Sequence, residues 1–142
     1  MTDTATLAER LFAAIDDHRY DDALAVLQPD AVLDTPLGAG LSTEAWLGIN
    51  RSFAGSMPDG RHTLREVTPD GDRCAVEGTW SGTHTGPLAT PGGEVPPTGR
   101  SVVLPFCAVI TRRGERIGRL TVYFDSLSMF VQLGLAPEPA AA

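Results

Sequence analysis

The chain has 142 residues, 42% of them hydrophobic and 20% charged, which suits one globular domain with a real core and leaves disorder to be expected only at the ends. Its 18 acidic residues against 11 basic ones give a net charge of -7, a field that repels phosphate backbones and anionic lipid. Nucleic acid and membrane surfaces are therefore not expected as partners.

All 11 basic residues are Arg, a bias that fits a GC-rich coding sequence and has no physical necessity. Cys74 and Cys107 each sit in an apolar run, where Cys behaves as a small hydrophobe, so no disulfide framework is expected. Met1 to Arg10 carries acids and lacks the apolar region of a signal peptide. No stretch approaches the ~18 apolar residues of a membrane span. The cytoplasm is the expected location.

Residues 4–17 read as an amphipathic helix, with Leu7, Leu11 and Ile15 at four-residue spacing and Ala8 and Phe12 widening the stripe. Thr4 or Thr6 is placed to cap it. A short second helix follows over 21–27 and stops at Gln28-Pro29-Asp30, because proline cannot continue a helix. Residues 31–36 read as a short strand. A third helix, capped by Ser42 or Thr43 with Glu44 in its first turn, runs to about Phe53.

Beyond Pro58-Asp59-Gly60 the chain changes to extended runs at 61–68, 72–84, 101–112 and 116–125. Pro69-Asp70-Gly71 and Arg113-Gly114-Glu115 are tight enough for hairpins. The segment 86–100 is long for a turn and is either a pocket cover or a surface excursion. A final short helix spans 126–133 and ends at Gly134, and 136–142 reads as a frayed tail. Helices followed by an antiparallel meander make an α+β domain, whose sheet curls under its own twist and leaves a cavity on its concave side.

Side-chain alternation sorts the strands. Cys74, Val76, Gly78, Trp80, Gly82 and His84 share one face, the apolar one, so His84 is expected on the same side as Trp80. In the third long run Pro105 calls for a bulge or an edge segment. In the last, Ile117, Arg119, Thr121, Tyr123 and Asp125 oppose Leu120, Val122 and Phe124, and parity alone leaves open which set faces inward. His18 and His62 stand among polar residues and are expected to face solvent.

Three stretches resemble the SnoaL-like family of polyketide cyclases: residues 80–88, the run Pro96-Pro97-Thr98-Gly99-Arg100, and Tyr123-Phe124-Asp125 followed by Gln132-Leu133-Gly134. The resemblance covers about residues 5–134. It implies the cone-shaped α+β barrel of the nuclear-transport-factor-like superfamily, with helices packed on a curved antiparallel sheet around an apolar pocket. It further implies a small hydrophobic, carbonyl-bearing ligand, cofactor-independent and metal-free chemistry, and a homodimer through the sheet face.

The family's general acid/base is a carboxylate at the strand end before the closing helix, and Asp125 matches that position. A carboxylate walled by apolar side chains is desolvated, which suits it to moving a proton next to a carbonyl. Asp125 also precedes Ser126-Leu127-Ser128-Met129, so a helix N-cap is its second possible role. His84 is the second catalytic candidate. Trp80, Tyr123, Trp46 and Phe106 are expected to form the wall, with Asp34 as an off-register second acid. In the related ketosteroid isomerases the catalytic Asp precedes a Pro-hydrophobic-Gly turn; here Thr35 holds that place before Pro36-Leu37-Gly38, which disfavours isomerase chemistry of that kind. A binding protein without turnover is the alternative.

Overall fold

A computed structural model describes residues 2–140; Met1 and the last two residues of the expected tail, Ala141 and Ala142, lie outside the described residues. Helix α1 (Thr4–Asp16) is capped by Asp3, whose carboxylate accepts from the Thr6 N–H at 2.7 Å. Neither threonine expected there is the cap: Thr4 is buried inside the first turn. After α2 (Tyr20–Val26) the chain enters β1 (Leu27–Thr35) at once, several residues earlier than the sequence pattern suggests. Strand β2 (Gly38–Leu41) turns back on β1, and α3 (Thr43–Ser56) starts from a Ser42 cap that accepts from the Ala45 N–H.

The long strands are β3 (Arg61–Asp70), β4 (Arg73–Thr83), β7 (Ser101–Arg113) and β8 (Arg116–Phe124), and α4 (Ser126–Gln132) closes the fold. They join β1 and β2 in one six-stranded sheet of order β2-β1-β8-β7-β4-β3. The expected antiparallel meander is present, but β1 pairs parallel to β8, so the curved sheet is mixed. Two chain segments far apart in sequence meet there, a pairing that local patterning does not reveal.

The segment 86–100 holds a small hairpin of β5 (Leu88–Thr90) and β6 (Gly93–Val95). It packs on α3 through the buried Leu88 and supplies no side chain to the cavity described below, so it does not cover the pocket wall. A close approach fixes its start: a Cβ on Gly86 would lie 2.1 Å from the Gly55 carbonyl oxygen.

Helix α1 lays Leu7, Leu11, Phe12 and Ile15 on the sheet against Val76, Phe106, Ala108 and Ile110, forming the main core. A second cluster of Met57, Leu88, Val102, Leu104, Met129 and Leu133 fills the end under α4. Beyond Phe124, β7 has lost its β8 neighbour. There the Gln132 side chain stands in for a strand: its Oε1 accepts from the Val103 N–H at 2.8 Å and its Nε2 donates to the Val103 carbonyl at 3.0 Å. Pro105 lies in this unpaired stretch of β7, where its missing N–H breaks no ladder bond. Among the described residues no helix is long and apolar enough to cross a membrane.

Candidate functional site

A cavity lies between the inner face of the sheet and α1, α3 and α4, with about 730 Å³ of empty space counting its open mouth. Its wall is aromatic: Phe12, Trp46, Phe53, Trp80, Phe106 and Phe124 all border it. Trp46, Trp80 and Phe106 therefore stand where the sequence places them. The indole of Trp80 lies across two glycines, since a Cβ on Gly60 or on Gly82 would meet it at 2.8 or 3.1 Å, and Phe53 abuts it edge-on at 6.0 Å.

Parity on β8 is settled by the cavity. Val122 and Phe124 line it, so Tyr123 and Asp125 belong to the outer set. Tyr123 is 60% exposed, and it borders an outer groove with Arg65, Glu77 and Asp125. Asp125 is exposed and N-caps α4, its Oδ1 accepting from the Ser128 N–H at 3.0 Å. Both are corrected from pocket to outer face: inward alternation on β8 is claimed by its apolar residues, and the strand end delivers Asp125 to the helix start.

Asp34 is also outside the cavity. It accepts from the Gly40 N–H at 2.7 Å and from Arg119 at 2.6 Å, and these two hold its carboxyl below the usual carboxylate range. The next residue, Thr35, does line the cavity. His84 is fully buried, but it sits beyond the cavity, past the end of β4 and at the base of the 85–100 segment. Its Nδ1 contacts the Thr98 hydroxyl at 3.0 Å and accepts from the Thr98 N–H at 3.2 Å, while Nε2 has no partner among the described residues. This imidazole pins the loop.

The ionisable side chain on the cavity wall is His62, which sequence reasoning assigned to solvent. It lies on β3 directly opposite Trp80, and its side chain is only 15% exposed. A bulge at Arg65 shifts the register between Leu64 and Glu66, and Gly78 makes room for it, because a Cβ there would lie 2.2 Å from the Thr63 carbonyl oxygen. The bulge lets His62 and Leu64 face inward on one side of it and Val67 on the other. The signal was in the sequence: His62 shares parity with Leu64.

Asp16, the last residue of α1, holds His62 at two points. Its Oδ1 is 2.7 Å from the ring Nδ1, and its Oδ2 accepts from the His62 backbone N–H at 2.9 Å. The carboxylate is 8% exposed. A carboxylate acceptor on Nδ1 selects the tautomer with the proton there, which leaves the lone pair on Nε2. Phe12 and Phe106 flank the ring at centroid distances of 4.8 and 5.2 Å. Position and rotation of the imidazole are thus fixed by groups on two elements, α1 and β7.

Residues 8–120 match the family model described as a SnoaL-like domain. The chain belongs to the SnoaL-like domain family. This SnoaL-like chain is similar in structure to IdmH of Streptomyces antibioticus, assigned as a polyketide cyclase, with 26% identity, a TM-score of 0.78, and 91% of this chain and 96% of that one covered. A protein of Xanthomonas campestris pv. campestris assigned the same activity has 25% identity and a TM-score of 0.74, over 91% and 96% of the two chains. A SnoaL-like polyketide cyclase assignment also attaches to a Jannaschia sp. CCS1 structure, similar in fold with 21% identity, a TM-score of 0.81 and 95% of each chain covered. No curated protein matches the chain.

Proposed function

We propose that this SnoaL-like protein binds a small, neutral, largely apolar molecule bearing a carbonyl group, and acts on it by cofactor-independent acid/base chemistry of the cyclase or isomerase type. One observation carries the reading: an aromatic cavity in which His62 is the only ionisable side chain among the described lining residues. An apolar wall favours a flat hydrophobic ligand. The lack of Arg, Asp or Glu on that wall disfavours a charged one, since a buried unpaired charge is costly. Similarity to the Streptomyces and Xanthomonas proteins supports a polyketide-like skeleton.

Trp46 and Trp80 report on occupancy, so the test is a tryptophan-fluorescence titration with methyl naphthyl ketone against naphthoate. The ketone is expected to bind and the carboxylate to bind about tenfold more weakly or worse. Equal affinity for both, or no binding of the ketone, would sink the proposal.

A second copy of the chain is the partner proposed for the outer sheet face, where Val103 and Tyr123 are 55% and 60% exposed. Sedimentation of the wild type and of Tyr123→Glu checks it. A dimer that the glutamate dissociates is expected, and a monomeric wild type would refute it.

A further inference from the structure

We infer that Asp16 and His62 are the proton-transfer pair of this cavity, with His62 Nε2 acting as base and then as acid on the ligand and Asp16 as the positioning residue that sets the ring's tautomer. The inference rests on the ligand reading above and adds to it the group that does the chemistry. It follows from three features that no other polar residue among the described ones combines. His62 borders the cavity, its Nδ1 is engaged by a carboxylate at 2.7 Å, and no protein group among the described residues hydrogen-bonds its Nε2.

The remaining candidates are committed elsewhere. Asp125 caps α4, Asp34 is held by Gly40 and Arg119, and the His84 Nδ1 is taken by Thr98. The backbone bond from His62 to Asp16 is sufficient to tie β3 to α1. The additional ring bond decides which nitrogen carries the proton. Phe12 and Phe106 pack on the ring at 4.8 and 5.2 Å and hold it against the Asp16 carboxylate.

The step balances without a co-reactant. Nε2 takes a proton from the carbon next to the ligand's carbonyl: the C–H bond breaks, an N–H bond forms, and the electron pair enters the enolate. The imidazolium then returns its proton to the same molecule, at another carbon or at the oxygen formed when the enolate carbon adds to a second carbonyl. The product is an isomer of the substrate.

Two measurements on the full chain test the pair. The first is nitrogen NMR of the histidine rings at neutral charge. Wild type is expected to show one of its three histidines with the proton on Nδ1, and Asp16→Asn, which can donate to that nitrogen, is expected to move the proton to Nε2. The second uses methyl naphthyl ketone in deuterated water and follows exchange of the protons next to its carbonyl. Wild type should exceed free imidazole, His62→Gln should lower the rate by about a hundredfold or more, and Asp16→Asn by about tenfold or more. Asp16 does not line the cavity, so ketone affinity should not change in Asp16→Asn, and Asp125→Asn should retain the rate.

A ketone that binds without accelerated exchange, or exchange that persists in a folded His62→Gln, overturns the pair. So does a wild-type spectrum with the His62 proton on Nε2, a result that requires no variant to fold. A ketone that does not bind refutes the ligand reading instead, and the ring spectrum still judges the pair.

Discussion

At the end of α1 the Asp16 carboxylate is buried and divided between the ring and the backbone of His62, whereas at the end of β8 the Asp125 carboxylate is exposed and bonded to one N–H of α4. Both are acids at element ends, within a few residues of the aromatic wall. They differ in the partner that the local backbone offers. A helix start presents free N–H groups, and a short side chain just before it is captured by them. A helix end presents carbonyls, so Asp16 finds no donor on its own helix and takes those of the facing strand. In this fold the acid at a helix end is therefore the one available to organise an imidazole, and the acid at a helix start is not.

The largest expected effect attacks the geometry behind the Asp16 end. Gly78→Val places a side chain onto the bulged backbone at Thr63 and should cost about 3 kcal/mol, read as a lower unfolding midpoint, with loss of the His62 placement. Removing the acid itself comes next. Asp16→Ala leaves two His62 donors unpaired and should cost about 2 kcal/mol. Asp125→Ala should cost about 1 kcal/mol through the lost cap, with Asp125→Asn nearly neutral because Asn caps as well. If the two alanine variants were equally destabilised, the contrast between the ends would fail.

The smallest effect is acid sensitivity. The carboxyls of Asp34 and Asp59 are held below their ordinary value of 3.8, Asp34 chiefly by the Gly40 N–H and Asp59 chiefly by the Thr83 N–H and hydroxyl. A lowered folded-state value means that the unfolded chain binds the proton more tightly. Their contribution is thus complete above about pH 5 and is lost as pH falls through 3.8 to the lowered values. Denaturation midpoints across that range should fall less steeply for Asp34→Asn than for wild type.

The helices, the four long strands and the α+β class were legible because each rests on local periodicity: the Leu7, Leu11, Ile15 stripe and the alternation from Cys74 to His84 are both seen in the fold. Of the aromatic wall only Trp46, Trp80 and Phe106 were named from the sequence; Tyr123 is not part of it, and Phe12, Phe53 and Phe124 were not named for it. Pairing of β1 with β8 was not, since it joins residues about ninety positions apart and leaves no mark on either segment. The face of β8 stayed ambiguous because a strand covered by helices on one side reads alike under either assignment. The sequence did hold both roles of Asp125, and the cap is the one the backbone adopts. His62 was misplaced because its immediate neighbours are polar, while the residues that bury it, Phe12, Trp80 and Phe106, come from three other elements.

The amide of Gln132 on Val103 has a consequence for how the molecule behaves among its copies. A strand that outruns its neighbour leaves a row of open donors and acceptors, the template on which foreign strands add and aggregates grow. In β7 that row is closed twice over, by a side chain occupying both polar groups of Val103 and by a proline with no hydrogen to offer two residues on. The closing helix is therefore also a stopper for the sheet. An asparagine at position 132, one methylene shorter, would unplug it, and the first sign would be sticky protein before any change in the pocket.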